Sequence, residues 1–161
     1  MDEAIARSIA HERHVGQRTK HGAPMTDHVE RVAAAVPDDT RTVALLHDIL
    51  EKTNTTRDDL RRHGLTPTQL AALELLTRRD DETVQLHTAR IAGAEGEAGM
   101  IARQVKLADL DDHLEQRGSA ADDGAYRWAR WVTVAAQRNR GEIPVRPGRA
   151  RGRDAEGASV P

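Results

Sequence analysis

The stretch that most constrains this chain is residues 44–51, an apolar run (Ala-Leu-Leu-His-Asp-Ile-Leu-Glu) that contains three ionisable side chains. On a helix, the adjacent His47 and Asp48 project about 100° apart, and Glu51 lies within one turn of both. Ionisable groups in so apolar a run are costly to bury alone. A cation shared by the imidazole and the carboxylate would offset that cost and leave Glu51 close to a metal-bound water. The run therefore predicts a buried helix that carries part of a metal site, with a structural His–Asp pair as the alternative.

Composition limits the ligands that such a site can use. The chain of 161 residues contains no cysteine, which excludes disulfides, thiolate metal ligands and cysteine nucleophiles. Imidazole and carboxylate remain as strong ligands, and they favour manganese, iron, magnesium or zinc. The formal net charge of −2 argues against a protein that binds nucleic acid through bulk positive charge.

Nothing in the sequence predicts a membrane segment. No apolar run approaches the ~20 residues of a membrane span, and the N-terminus lacks the apolar core of a signal peptide. We therefore expect a cytoplasmic protein with no membrane partner.

Helical patterns cover most of the chain. Alanine, leucine and arginine dominate and β-branched runs are short, which favours helices over strands. Apolar spacing and capping residues predict an all-α bundle of about six to eight helices in one domain, residues 1–140. The third helix is expected to run without a break over residues 39–53. From residue 141 glycine, proline and arginine replace any periodic pattern, which predicts a disordered tail over residues 141–161.

Large apolar side chains are expected to mark the inner faces of the first and last helices. In the first helix these are Ile5 and Ile9, and in the last they are Trp128 and Trp131. An exposed platform that stacks on nucleic-acid bases is the alternative for the two tryptophans.

Two more ionisable residues lie on or beside apolar helix stripes. His28 precedes Val32 by one helical turn, and Asp109 follows Val105 by the same spacing. With the His-Asp pair of residues 47–48 they supply two imidazoles and two carboxylates. This set suits one divalent cation, with coordination positions left for water and a phosphate oxygen.

The order of these residues resembles that of the HD-domain metal-dependent phosphohydrolase superfamily: a histidine, then a His-Asp pair, then a distant aspartate. The chain is most similar to the hydrolase domain of RelA/SpoT-type guanosine tetraphosphate (ppGpp) hydrolases and to their small stand-alone relatives. The matching segments are His14-Val-Gly-Gln17, Lys20-His-Gly-Ala-Pro24, His28, residues 44–51, Leu76-Thr77, Arg90-Ile91-Ala92 and Val105-Lys-Leu-Ala-Asp-Leu110.

The resemblance implies an HD-type helical bundle and a set of site residues. It implies that His28, His47, Asp48 and Asp109 bind one divalent metal ion, which is manganese in most relatives, with iron, magnesium or zinc as alternatives. It also implies that Glu51 orients or deprotonates the attacking water.

Several positions depart from the family pattern. Lys52 follows Glu51 at the position where the family normally has an acid. His113 stands four residues after the last metal ligand, where the family normally has an asparagine. We expect both to act in catalysis: Lys52 as a phosphate contact, His113 as a proton donor or phosphate contact. The alternatives are a solvated lysine and, for His113, a fifth metal ligand or a surface histidine.

The loop before the second helix also differs from the family. A nucleotide-binding arginine of the family is Thr19 here, while Arg18 and Lys20 remain basic. The resemblance implies that Arg18 and Lys20 contact the phosphates of the substrate, although loops are often basic for no special reason.

The sequence therefore predicts a metal-dependent phosphohydrolase that acts on a nucleotide or a related small phosphate ester. The complete ligand set supports this function, and the altered nucleotide positions weaken ppGpp itself as the substrate. The alternative is a catalytically impaired HD domain that binds a nucleotide or a partner protein as a regulatory module, which Lys52 favours. A nucleic-acid-associated protein that uses the arginine-rich tail is disfavoured by the net charge. The oligomeric state stays open.

Overall fold

Helices make up almost all of the ordered secondary structure. The computed structural model describes residues 1–116 and 124–142. Within them lie nine α-helices and one 3₁₀ turn, and the only β pairing is an isolated bridge in a loop. The helices are α1 (Glu3–Arg13), α2 (Met25–Ala34), α3 (Arg41–Leu46), α4 (Ile49–Lys52), α5 (Arg57–Arg62), α6 (Pro67–Leu76), α7 (Val84–Gly93), α8 (Gly96–Gln116) and α9 (Gly124–Asn139), and the 3₁₀ turn, Asp38–Thr40, precedes α3. The predicted all-α class is confirmed.

Helix α8 is the centre of the bundle. It packs against α2, α6, α7 and α9. Its buried side chains lie around most of the helix, Ile101 and Val105 on one side and Leu107 and Leu110 on another, as expected for a helix that is surrounded by others. None of the helices in the described residues is long and apolar enough to cross a membrane.

The predicted third helix is broken where the sequence expects it to continue. It divides into α3, a turn at His47 and Asp48, and α4. The cause lies at the carbonyl of Ala44, which accepts two hydrogen bonds from His47. One comes from the side-chain Nδ1 at 2.7 Å and the other, longer, from the backbone N–H at 3.4 Å. In a regular helix this carbonyl would bond to the backbone N–H of Asp48. A side chain therefore competes with the helical ladder and tightens the last turn.

The inner faces of the terminal helices carry smaller residues than the sequence predicts. Trp128 and Trp131 are 39% and 68% exposed, so their assignment to the core is wrong. The buried residues of α9 are Ala129, Thr133 and Gln137, spaced four apart along the face that meets α7 and α8. Small side chains such as Ala129 allow close helix contacts at this interface. Trp128, one residue before Ala129, and Trp131, two after it, do not lie on that face.

The same exchange occurs in α1. Ala6 and Ala10 are fully buried, whereas Ile5 is 41% exposed and Ile9 is only partly buried against the core. The prediction that Ile5 faces inward is therefore wrong, because α1 approaches α3 closely through its alanines.

The described part of the chain continues two residues past the predicted domain end. The carboxylate of Glu142 accepts from Nε of Arg103 at 2.9 Å and from Nη2 of the same guanidinium. Arg103 is 1% exposed and also donates to the carbonyls of Ile91 and Ala94. This buried pair joins the end of α9 to α8 and α7. Residues 143–161, most of the predicted tail, lie outside the described residues. So does Ser119, which the sequence predicts as the N-cap of the last helix because serine is a preferred capping residue.

An ion pair between Arg90 and Glu82 closes the C-terminal end of α6. Arg90 donates to the carbonyls of Glu74, Leu75 and Thr77, which no helical N–H of α6 can reach. Its guanidinium also binds Glu82 through two bonds of 2.7 Å, and the Glu82 side chain is 7% exposed. The hydrogen bonds from Arg90 lower the pKa of Glu82 to about 2.

The depressed pKa of Glu82 gives a pH-dependent contribution to stability. Since the folded-state pKa lies below the unfolded value, the contribution is fully present above about pH 4.5 and is lost as the pH falls toward 2. We expect Glu82→Gln to lower the free energy of unfolding by roughly 1–3 kcal/mol at pH 7 and by almost nothing near pH 2. Urea unfolding at a series of pH values measures this. Glu95→Gln, at an exposed glutamate, is the matched control, and a pH-independent loss in Glu82→Gln would contradict the assignment.

Candidate metal centre

Four ionisable side chains from three parts of the fold meet beneath one cavity. They are His28 on α2, His47 and Asp48 in the turn between α3 and α4, and Asp109 on α8. The Nε2 atoms of the two histidines lie 3.2 Å apart. Each Nε2 lies 3.5 to 3.8 Å from Oδ2 of Asp48 and from Oδ1 of Asp109. The structure therefore brings together all four residues for which the resemblance implies metal binding.

The break before α4 explains how two adjacent residues reach the same point. On a continuous helix, His47 and Asp48 would diverge by about 100°. In the turn, Nε2 of His47 and Oδ2 of Asp48 lie 3.6 Å apart. The side-chain bond to the carbonyl of Ala44 thus both interrupts the helix and orients the imidazole.

Both imidazoles are held from behind through Nδ1. Nδ1 of His28 donates to Oδ2 of Asp112 at 2.7 Å, because a carboxylate can only accept. Nδ1 of His47 donates to the carbonyl of Ala44. Each ring therefore turns Nε2, its lone-pair nitrogen in the neutral form, toward the two carboxylates.

Burial acts differently on the two histidines. For His47, burial dominates and lowers the pKa, which favours the neutral imidazole. For His28, burial opposes protonation, but the hydrogen bond to Asp112 and the neighbouring carboxylates outweigh it and raise the pKa. For Asp112, burial opposes ionisation, but the hydrogen bonds from His28 and Arg31 outweigh it and lower the pKa to about 2.

A lysine contacts each of the two carboxylates. Nζ of Lys52 lies 2.6 Å from Oδ2 of Asp48, and Nζ of Lys106 lies 2.9 Å from Oδ2 of Asp109. Burial raises the pKa of both acids, but the neighbouring cationic groups outweigh it, so Asp48 titrates below its ordinary range and Asp109 well below it. The two pairs differ in one respect. Lys106 binds Oδ2 of Asp109, whereas the imidazoles lie closest to Oδ1 of that residue. Lys52 binds Oδ2 of Asp48, which is also the oxygen closest to the imidazoles.

The donor set fits a single divalent cation. Ligand atoms about 2.1 Å from a shared ion are about 3.0–3.5 Å apart in octahedral or tetrahedral geometry, close to the 3.2 to 3.8 Å separations found here. Two imidazoles oriented by Nδ1 partners and two ionised carboxylates suit manganese, iron or zinc. His28, His47 and Asp48 would hold such an ion together with Asp109.

The four candidate ligands line an open cavity of about 640 Å³. Its lining is rich in cationic groups, including Arg18, Lys20, Lys52, Arg78 and Lys106, and it also contains apolar side chains such as Met25, Leu76 and Val84. A cavity with cations above a ligand cluster and apolar walls beside it suits an anionic group joined to a less polar body.

The loop before α2 forms one wall of the cavity. A bridge between Arg18 and Pro24 and a turn with Gly22 at φ +84° fold it into a narrow hairpin. Gln17 anchors the hairpin to α4 by donating to the carbonyl of Lys52 at 3.0 Å. The structure thus places both predicted substrate contacts of this loop, Arg18 and Lys20, at the cavity, although the guanidinium of Arg18 donates to the carbonyl of Gly22 at 2.6 Å.

Lys20 and Glu51 also line the cavity with defined partners. The ammonium of Lys20 donates to the hydroxyl of Tyr126 on α9 and lies 4.0 Å from the centre of its ring. Oε2 of Glu51 accepts from the backbone N–H of Arg78 at 3.0 Å. This bond fixes the orientation of Glu51 beside the ligand cluster.

His113 lies next to the ligands and is not a surface histidine. Its Nε2 is 3.2 Å from Oδ1 of Asp109, and its ring stacks on that of His28 at 5.1 Å. Burial lowers the pKa of His113 to about 4, so the imidazole is neutral near pH 7. A neutral imidazole here can donate a hydrogen bond or bind a metal, and is a weak acid.

Sequence reasoning missed three residues that the structure brings to the site. Tyr126 reaches the cavity from α9, and no spacing in the sequence connects it to a loop more than a hundred residues earlier. Asp112 contacts both His28 and Arg31 on the side of the His28 ring away from the cavity. One signal could have found Arg31 and Asp112, because each follows a predicted ligand by three residues.

Comparison with known proteins identifies the architecture. A solved structure of a metazoan ortholog of SpoT, described as hydrolysing ppGpp and playing a role in starvation responses, matches with a TM-score of 0.62. The two chains are 20% identical, and the match covers 88% of this chain and 96% of the other. This chain has a SpoT-like fold. The likeness confirms the helical bundle that the resemblance implied. No protein-family model and no curated protein matches the sequence.

The ligand cluster predicts stoichiometric metal binding. We expect the chain to bind one equivalent of Mn²⁺, and Asp48→Asn to weaken binding by more than the ~100-fold typical for loss of an outer-shell partner, because a ligand is lost. Calorimetric titration of metal-stripped protein measures this, with Asp58→Asn as a control at an exposed aspartate of α5. Equal metal affinity in the wild type and Asp48→Asn would rule out this assignment.

Proposed function

We propose that this chain is a metal-dependent phosphohydrolase that acts on a nucleotide or a related small phosphate ester. The observation that carries the proposal is the cluster of two imidazoles and two carboxylates that lines a cation-rich cavity. The SpoT-like fold supports it, since the protein with the similar structure is described as hydrolysing ppGpp.

The ligands would be His28, His47, Asp48 and Asp109, and we propose Mn²⁺ as the native ion, with iron, zinc or magnesium as alternatives. A bound divalent ion would supply the Lewis acidity that activates a water and neutralises charge on a phosphate oxygen. Orienting the water, accepting its proton and binding the phosphates would fall to side chains of the cavity.

Glu51 is the proposed acceptor of the proton of the attacking water. It lines the cavity beside the ligands, and its bond to the backbone of Arg78 leaves the carboxylate oriented without neutralising it through an ion pair. A fixed carboxylate within reach of a water can orient it and take its proton.

Lys20 and Lys52 are the proposed phosphate contacts, and Arg18 joins them if its guanidinium leaves the carbonyl of Gly22. A lysine ammonium binds phosphate as a point charge and adapts its position easily. Because Lys52 contacts the coordinating oxygen of Asp48, a cation bound at the ligands would repel it toward the cavity, where a phosphate would take its charge.

His113 is proposed to donate a hydrogen bond to a phosphate oxygen or to the leaving group. Its neutral state near pH 7 argues against a role as a strong general acid. Protonation of the leaving group would then fall to solvent or to the ammonium of a lysine.

The second candidate is a binding module without turnover. The contact between Lys52 and Asp48 favours it, because a lysine on a coordinating oxygen competes with the metal. A module of this kind would bind a phosphorylated ligand through the same cations.

Turnover of phosphorylated nucleotides distinguishes the two candidates. We expect metal-stripped protein to release phosphate or pyrophosphate from at least one member of a nucleotide panel that includes ppGpp once Mn²⁺ is added. Asp48→Ala should abolish this release. Metal binding without turnover of any member, together with ligand binding in a fluorescence titration, would favour the binding module instead.

Lys52 gives a sharper test of the cavity. We expect Lys52→Gln to bind Mn²⁺ several-fold more tightly, because a competing ammonium 2.6 Å from Oδ2 of Asp48 is removed. At saturating metal we expect kcat/KM for the phosphorylated substrate to fall about tenfold or more, the effect of a lost phosphate contact. Arg61→Gln, at an exposed arginine of α5, makes the same charge change as a control. Weaker metal binding in Lys52→Gln would contradict the competition.

A further inference from the structure

Helices α2 and α8, which carry His28 and Asp109, also carry a pair of charged residues at matching positions. Arg31 follows His28 by three residues on α2, and Asp112 follows Asp109 by three residues on α8. Residues three apart lie on the same helix face. The four side chains therefore form two layers between α2 and α8, and the ligands lie in the layer nearer the cavity.

The contacts of Asp112 exclude it as a ligand. Its Oδ2 accepts from Nδ1 of His28 at 2.7 Å and from Nη2 of Arg31 at 3.1 Å, and its Oδ1 accepts from Nε of Arg31 at 2.5 Å. Both oxygens thus lie behind the imidazole, on the side away from Nε2. The Asp112 side chain is 6% exposed, so water has little access to its carboxylate.

The two ligand histidines are held by acceptors of different charge. The acceptor behind His47 is a neutral backbone carbonyl, and the acceptor behind His28 is an ionised carboxylate. A charge-assisted hydrogen bond is about twice as strong as a neutral one. A carboxylate behind an imidazole also raises the basicity of the opposite nitrogen and fixes its tautomer.

We infer that Asp112 is a positioning residue that fixes His28 as an Nε2 donor and makes it the stronger of the two imidazole ligands. Arg31 holds the carboxylate of Asp112 in its two-point orientation. The inference rests on the metal site of the proposed function, but it assigns residues outside the ligand set.

The competing explanation is a purely structural tie, in which the contact between Arg31 and Asp112 only stabilises the packing of α2 against α8. Variants distinguish this explanation from the positioning role. A tie predicts that loss of either partner, Asp112 or Arg31, lowers stability and metal affinity together. A positioning role predicts that metal affinity follows the contact between Asp112 and His28 and depends much less on Arg31.

The experiment compares dissociation constants for Zn²⁺ and Mn²⁺, measured by chelator competition, with the thermal midpoint of each variant. We expect Asp112→Asn to weaken binding roughly 10- to 100-fold and Asp112→Ala to weaken it further, because the amide keeps a neutral acceptor that the methyl group lacks. Arg31→Gln should lower the midpoint with less than a threefold change in affinity. Asp111→Asn is the matched control, since this substitution makes the same charge change one residue away, at an aspartate that pairs with Arg130 of α9.

A second readout is an NMR signal of the wild-type protein, and this part of the test does not depend on the folding of any variant. In Zn²⁺-loaded wild-type protein, the Nδ1 proton of His28 should appear as an exchange-protected NMR signal further downfield than that of His47. In Asp112→Asn this signal should move upfield while that of His47 stays in place.

The outcomes separate this inference from the proposed function. If the wild type binds no metal, both fail. If the wild type binds metal and Asp112→Asn binds it equally well, only the positioning role fails. Equal loss of affinity in Asp112→Asn and Arg31→Gln, or a His28 signal no further downfield than that of His47, overturns the positioning role as well.

Discussion

The meeting of four ionisable side chains in the interior is the constraint on which the rest of the structure depends. Without partners, each of these groups would carry a large desolvation penalty. Here every one has a fixed partner: Asp112 behind His28, a backbone carbonyl behind His47, and a lysine on each carboxylate. Those partners lie on α3, α4 and α8, which carry or flank three of the four residues, so the bundle that builds the cluster also supplies its charge partners.

The lysines show how the chain balances charge at this position. Lys106 neutralises Asp109 from an oxygen away from the imidazoles, an arrangement compatible with a bound cation. Lys52 instead takes the place where a cation would bind Asp48. The lysine that stands where the resembled family has an acid therefore contacts the same Asp48 oxygen that a cation would bind.

Much of this could be predicted from the sequence, for reasons of periodicity and residue type. Helix positions followed from apolar spacing and from caps, as at Thr66, whose side chain accepts from the backbone N–H of Gln69. The meeting of the four ionisable residues followed from their places on or beside apolar stripes. The turn at His47 could not be predicted, because it depends on a side chain that captures a backbone carbonyl. The inner faces of α1 and α9 were missed because large apolar residues outweigh alanine in such patterns. Yet close helix packing selects Ala6 and Ala129 over Ile5 and Trp128.

The site separates into two groups that differ in how far they can change. Three of the proposed ligands, His28, His47 and Asp109, are buried, and Asp48 lies beside them in the turn between α3 and α4. The cavity contacts, by contrast, lie on a hairpin loop (Lys20), at the exposed end of a short helix (Lys52) and on the last helix (Tyr126). Substitutions there alter the lining of the cavity and leave the packing of the bundle intact. This division is compatible with the proposed phosphohydrolase whose substrate differs from ppGpp, and equally with the binding module proposed as the second candidate.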